Sequence, residues 1–231
     1  MKLSVSRSLM AMALALGLAA CGSKATFQIK GSIVEGVGNK LSYGPLTLTE
    51  SISGKKIVLQ QGDSTFEFPG TIEYGIPFKV IIGATGPVSD AAPHEDCVVL
   101  NGNDTAGRQA AINVVVSCTI QTHNLTGTIT VTGAGGATKG LPTGLKLING
   151  SDTVGYTATD ASVDYAFPSI PYNQTFGLVI AAQPTPPATG PKTTCILVPT
   201  GTLVASADKL SVSGRMGDTN AVVNVECTTN P

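Results

Sequence analysis

Ser64-Thr-Phe-Glu-Phe-Pro-Gly70 returns about a hundred residues later as Val163-Asp-Tyr-Ala-Phe-Pro-Ser169. Working outward, Tyr74-Gly-Ile-Pro-Phe-Lys-Val-Ile-Ile82 matches Tyr172-Asn-Gln-Thr-Phe-Gly-Leu-Val-Ile180, and Cys97-Val-Val-Leu100 matches Cys195-Ile-Leu-Val198. Upstream, Pro45-Leu-Thr-Leu-Thr49 answers to Gly144-Leu-Lys-Leu-Ile148. Further back, Phe27-Gln-Ile-Lys-Gly-Ser-Ile33 answers to Leu125-Thr-Gly-Thr-Ile-Thr-Val131, with Gly127 in the place of Gly31. Each copy closes on a Val-rich run, Ile112-Asn-Val-Val-Val-Ser-Cys118 and Ala221-Val-Val-Asn-Val-Glu-Cys227. An offset that stays constant through the central blocks marks an internal duplication. The chain is one unit written twice.

The unit is β-structured. Phe27, Ile29 and Ile33 alternate with Gln28, Lys30 and Ser32, and a period of two marks a strand with one buried face. Turns of Gly, Pro, Asn and Asp separate six to eight such strands per unit, and no helical periodicity runs long enough to count. Ala106–Ala111 and Ala205–Leu210 have room for one helical turn each. The fold class expected is all-β: two tandem immunoglobulin-like β-sandwiches, residues 27–120 and 121–231, joined near Thr119–Asn124. Phe68, Phe78, Phe167 and Phe176 fall on core positions, whereas Tyr43 and Tyr156 have no such assignment and are free to stand at the surface.

Composition narrows the class. Gly is abundant at 27 residues, Trp is absent and charged residues make up only 13%. That is the profile of exported all-β proteins. The N-terminus carries Lys2 and Arg7, then the apolar run Leu9–Leu18, which is too short to span a bilayer and reads as an export signal over residues 1–20. Its removal takes two of the 14 basic residues and none of the 15 acidic ones, leaving a net charge near −3. Nothing in so mild and unclustered a charge points to nucleic acid.

Leu18-Ala19-Ala20-Cys21 resembles the lipobox of bacterial lipoproteins. The resemblance implies a diacylglycerol on the Cys21 thiol, cleavage before Cys21 and acylation of the new amino terminus. Residues 21–26 then form a polar tether, and the protein is held at the bacterial envelope by its lipid. Gly22 after the lipidated cysteine is similar to lipoproteins sent to the outer membrane or cell surface.

Lipidation accounts for one of the five cysteines. The other four admit three pairings, and the duplication selects among them, because equivalent cysteines should do equivalent work. Cys97–Cys118 and Cys195–Cys227 are the expected bridges. Cys118 shares its strand face with Val114 and Val116, and Cys227 with Val223 and Val225, which turns the sulfurs toward the core. The cysteine-bearing half of each unit resembles a repeat of bacterial surface lipoproteins and large secreted proteins. There a strand leads through Gln-Pro (here Gln183-Pro184) to a first cysteine, and an Asn-Gly turn (here Asn101-Gly102) and a Val-rich strand lead to the second. That family implies location and shape rather than chemistry. The second unit departs from it with Pro199-Thr-Gly201 and a longer path to Cys227, which has room for an extra hairpin.

Candidates for chemistry are few. His94-Glu95-Asp96 is the one dense polar cluster. Adjacent strand residues alternate faces and no second histidine falls at ligand spacing, so it reads as a solvated acidic turn and not a metal site. His123 stands apart from it. Gly62-Asp-Ser-Thr65 superficially resembles an esterase nucleophile block but lacks the helix that chemistry needs. Gly133-Ala-Gly-Gly-Ala-Thr-Lys139 lacks the glycine and the helix of a phosphate loop, and reads as a mobile loop, as does Glu35-Gly-Val-Gly-Asn-Lys40. No cofactor is implied.

Two Pro-rich loops remain, 83–96 and 183–192, at equivalent positions of the two units. They carry the candidate binding residues His94, Glu95 and Asp96 in the first and Gln183, Pro184, Pro186, Pro187 and Lys192 in the second. Either they present a repeated contact surface to a glycan or peptide, or they cap the sandwich edge. The reading that follows is a non-catalytic, membrane-anchored spacer, scaffold or adhesion module whose partners are the membrane and an envelope or surface protein or glycan. The alternative is a specific binder using those loops, and a more remote one is a hydrolase of envelope polymers.

Overall fold

The computed structural model describes residues 24–36, 38–83, 94–133, 143–156, 162–185 and 192–229. The lipobox, Pro186 and Pro187, most of the 83–96 loop and most of the 133–139 loop lie outside these residues. The chain divides into two compact units between Thr119 and Ile120. Among the described residues there is no helix, so none is long and apolar enough to cross a membrane.

The first unit contains β1 (Thr26–Glu35), β2 (Leu46–Glu50), β3 (Lys55–Leu59), β4 (Thr65–Glu73), β5 (Pro77–Ile82), β6 (Glu95–Leu100), β7 (Asn103–Thr105) and β8 (Ile112–Ile120). They form two sheets of order β4-β1-β8-β6 and β3-β2-β5-β7. The second unit contains β9 (Thr122–Thr132), β10 (Leu145–Asn149), β11 (Asp152–Tyr156), β12 (Ser162–Pro171), β13 (Thr175–Ala182), β14 (Thr193–Pro199), β15 (Val204–Ala205), β16 (Ser211–Arg215) and β17 (Ala221–Thr229). Its sheets run β12-β9-β17-β14 and β11-β10-β13-β16-β15. The extra hairpin of the second unit is the antiparallel pair β15–β16. Ala106–Ala111 and Ala205–Leu210 form turns, bends and a short strand end instead of helical turns.

Each unit is an immunoglobulin-like sandwich in architecture: inward residues of both sheets meet in one core. Ile29, Ile33, Phe68, Val114 and Val116 of one sheet pack with Leu46, Leu48, Phe78 and Val80 of the other. Leu125, Ile129, Phe167, Val223 and Val225 do the same with Leu147, Phe176 and Leu178 in the second unit. The four core phenylalanines are all buried. The strand order is something periodicity does not disclose. The first strand of each unit lies between the fourth and the last, parallel to the last: Ile29 to Glu35 face Ile112 to Cys118, and Leu125 to Thr132 face Ala221 to Thr228.

A glycine makes that central position possible. An added Cβ on Gly31 would lie 2.0 Å from the Val114 carbonyl and 2.4 Å from Phe66 Cζ. On Gly127 it would lie 1.9 Å from the Val223 carbonyl and 2.8 Å from Tyr165 Cε1. In both units an aromatic ring of the neighbouring strand covers the glycine across the ladder, Phe66 opposite Gly31 and Tyr165 opposite Gly127. The Tyr165 hydroxyl donates to the Val223 carbonyl, so the larger ring brings its own polar partner into the core.

Candidate functional site

The cysteines close each sheet. Cys97–Cys118 and Cys195–Cys227 are bonded, over separations of 21 and 32 residues. Cys195 stands directly opposite Cys227 on paired antiparallel strands, so the bridge ties neighbours within a sheet and not one sheet to the other. Loops of these lengths contribute ~3–4 kcal/mol each in the chain-entropy account. Cys118, Cys195 and Cys227 are 2%, 0% and 1% exposed, whereas Cys97 is only half-buried.

Beside the half-buried cysteine lies a cluster of ionisable groups that is particular to the first unit. The inward phase of β1 runs Ile29, Gly31, Ile33, Glu35, and the inward phase of β6 runs Glu95, Cys97, Val99. Each strand therefore sends a carboxyl into the sandwich end. Glu35 and Glu95 are buried, contrary to a solvated turn at 94–96 and a mobile loop beginning at Glu35. The alternation that buries the cysteine also buries the acid two residues before it. Asp96, on the opposite phase, is exposed, and His94 is half-buried with φ at 63°.

The turn after β1 folds over both carboxyls. The Ser42 amide donates to Glu35 Oε2 at 2.8 Å and the Tyr43 amide to Glu95 Oε1 at 2.5 Å. Tyr43 is half-buried, not surface-exposed, and its ring meets that of His94 edge-on at 5.6 Å. Burial pushes the Glu95 carboxyl up to about 7, the Tyr43 amide opposes the shift, and the neighbouring Glu35 charge and hydrogen bond add to it. Glu50 shows the opposite balance at the β2–β3 turn. Burial raises it, but the Ser53 hydroxyl and the amides of Lys79, Ser53 and Ile52 outweigh burial and hold it below the usual carboxylate range. Four donors make Glu50 a turn clamp; burial beside a second carboxyl makes Glu95 a reluctant anion.

Glu95, Cys97 and Cys118 bring ligand-type atoms within 4.8 Å of one another. Both sulfurs are spent in a disulfide, and a metal needs thiolate, so this trio holds no cation as it stands. The Glu35 and Glu95 carboxyls are near neighbours at this end of the sandwich, and the charge of one raises the other's hold on its proton. His123 sits in the second unit opposite Ile170.

The second loop is built into the fold where it is described. Gln183 Nε2 donates to the Cys195 carbonyl at 2.9 Å, and its Oε1 accepts from the Cys195 amide at 2.8 Å. Pro184 is buried, and Lys192 is exposed. The residues the loops would offer a ligand are thus divided: Gln183, Pro184 and Glu95 serve the fold, and Asp96 and Lys192 face solvent. Sequence reasoning missed Glu35 and the Tyr43 turn, which join positions about sixty residues apart. It also missed a depression on the outer face of each sheet above Gly31 and Gly127. Lys30, Glu67 and Asn113 rim the first and Thr128, Asp164 and Asn224 the second.

No family model matches the chain, and no curated protein matches it. Solved structures do. The C-terminal fragment of the pilus adhesin SpaC from Lactobacillus rhamnosus GG aligns over 88% of this chain and 98% of its own, at 9% identity and a TM-score of 0.38. An adhesin from Mobiluncus mulieris containing intramolecular disulfide, isopeptide and ester cross-links aligns over 90% and 100%, at 10% identity and a TM-score of 0.35. A variant of the major pilin from Streptococcus pyogenes aligns over 90% and 99%, at 12% identity and a TM-score of 0.29. Likeness this loose says nothing of function.

Proposed function

We propose that the chain is a non-catalytic envelope module, anchored through Cys21 and acting as a spacer or scaffold that presents a partner-binding surface away from the membrane. One observation carries this reading. In each unit the first and last strands are parallel neighbours, so the polypeptide enters a unit at one end and leaves at the other. Tension applied through the chain ends then shears the whole β1–β8 or β9–β17 ladder at once, and every hydrogen bond shares the load. An antiparallel terminal pair would instead unzip one bond at a time. The bridge from Cys118 to Cys97, and from Cys227 to Cys195, fastens the loaded last strand to a second neighbour. These are properties of a tether under force, and among the described residues neither unit pairs them with a nucleophile, base and oxyanion donors in a cleft.

A chain held by its two ends in a single-molecule instrument is expected to give two separate unfolding events at high force. Two low-force events would sink the mechanical reading. The anchor is tested separately: C21A should abolish incorporation of labelled palmitate and release the protein from the membrane fraction. Retained label would remove Cys21 from the account.

A further inference from the structure

The two disulfides differ in the burial of their first cysteine and in the residue two positions before it. Cys195–Cys227 is sealed at both sulfurs, and the residue two before Cys195 is Thr193, whose hydroxyl meets that of Thr229 at 3.0 Å. Cys97–Cys118 offers one half-buried cysteine, and the residue two before Cys97 is Glu95. Glu95 Oε2 lies 3.8 Å from Cys97 Sγ, and the carboxyl is within 4.8 Å of both sulfurs. A bridged sulfur carries no proton, so this contact is not a hydrogen bond in the oxidised state. It is a carboxyl waiting beside a bond that can be opened.

We propose that Cys97–Cys118 is a thiol–disulfide exchange site for external dithiols, in which Glu95 protonates the departing Cys118 sulfur, while Cys195–Cys227 serves structure alone. A reagent thiolate attacks Cys97 Sγ, the sulfur of the half-buried cysteine. The Cys97–Cys118 bond breaks, and its electron pair goes to Cys118 Sγ. That sulfur is 2% exposed among Val114, Val116 and the facing sheet, where a bare thiolate is costly. The proton on Glu95 passes to it, and solvent later restores that proton. The second thiol of the reagent then attacks its own sulfur in the mixed disulfide, which frees Cys97 and leaves the reagent as a cyclic disulfide. The proton released by that second thiol goes to Cys97 through solvent. Two electrons move from reagent to protein, and the protein ends with two thiols.

The groups facing Glu95 set its supply of protons. Glu35 from β1 raises its hold on the proton, and the Tyr43 amide from the turn opposes this. His94 and Asp96 flank it along the chain, and no lysine or arginine forms an ion pair with it among the described residues.

Dithiothreitol is the probe. The full chain is exposed to it between about pH 5.5 and 8.5, quenched by alkylation and read by peptide mass spectrometry, with rates divided by the thiolate concentration. Cys97–Cys118 should open about tenfold or more faster than Cys195–Cys227 at the acid end, and this ratio should fall as pH rises and Glu95 ionises. In E95Q the ratio should be low at acid pH and flat throughout. Equal rates for the two bridges, or a wild-type ratio that does not move with pH, overturn the proposal. Should E95Q fail to fold, the wild-type ratio decides alone, because the second bridge is a reference inside the same molecule.

Discussion

Gln183 and Cys195 are joined by a pair of hydrogen bonds in which a side-chain amide takes the part of a neighbouring strand, giving 2.9 Å to the carbonyl and 2.8 Å from the amide of the cysteine. Gln183 follows β13 in one sheet and Cys195 lies on β14 in the other, so a single side chain links the two layers beside the disulfide. The Gln-Pro dipeptide that precedes the first cysteine is thereby a structural device. Q183A should lower stability by ~1–3 kcal/mol, the cost of two bonds and two orphaned backbone groups. Q183E should do no better, since its carboxylate faces the Cys195 carbonyl. Chemical denaturation of each variant checks this, and an unchanged midpoint in Q183A would deny the link.

The glycines at the centre of the two sheets should tolerate no side chain. A Cβ at Gly31 or Gly127 meets a backbone carbonyl at 2.0 or 1.9 Å, and backbone cannot rotate away as a side chain can. G31A and G127A should each cost at least the upper part of the ~1–3 kcal/mol typical of overpacking. F66A in the G31A background should recover little, because the carbonyl clash remains. Thermal melts of the single and double variants separate the two contributions.

Acid–base linkage at Glu95 has a definite sign. Its folded value, about 7, lies above the ordinary 4.5, so between these limits the folded chain binds more protons than the unfolded one. Stability from this group is complete below about pH 4.5 and falls as pH rises toward 7. The full linkage is ~3 kcal/mol, reduced by solvent screening at a turn near the surface to ~1–2 kcal/mol. Glu50, held low, acts in the opposite direction and loses its contribution as pH falls through its own range. Melting temperatures between pH 5 and 8 should decline more in wild type than in E95Q, and parallel curves would show that the acid is not linked to folding.

Extension under force should register the bridges as missing length. With 21 and 32 residues held inside closed loops, oxidised units should release about 70 Å and about 110 Å less chain than reduced ones, at the usual reach of ~3.4 Å per residue. Equal contour lengths before and after reduction would mean that neither bridge closes its loop in the folded chain.

The sandwich could be read from the chain because its strands repeat with period two and the repeat itself occurs twice. Phe68 and Phe167 declare the core, and Val114, Val116, Val223 and Val225 declare which way Cys118 and Cys227 face. Strand neighbours could not be read, since periodicity names the buried face of a strand and not the strand beside it. The acid pair was half legible. Glu95 keeps phase with Cys97 and Val99, and Glu35 with Ile29 and Ile33, yet a charged residue next to a turn is ordinarily assigned to water. Only the Ser42 and Tyr43 amides, delivered by the turn that follows β1, make burial of both carboxyls tolerable.

Placing the opening strand against the closing one also sets a timetable for synthesis. Ile29 has no partner on that side until Ile112 has been made, and Glu35 waits for Cys118. A growing chain can form local hairpins such as β2–β3 at once, but the middle of the other sheet stays unfilled until the last strand emerges. Each unit therefore completes itself late and all together, when its closing strand is made.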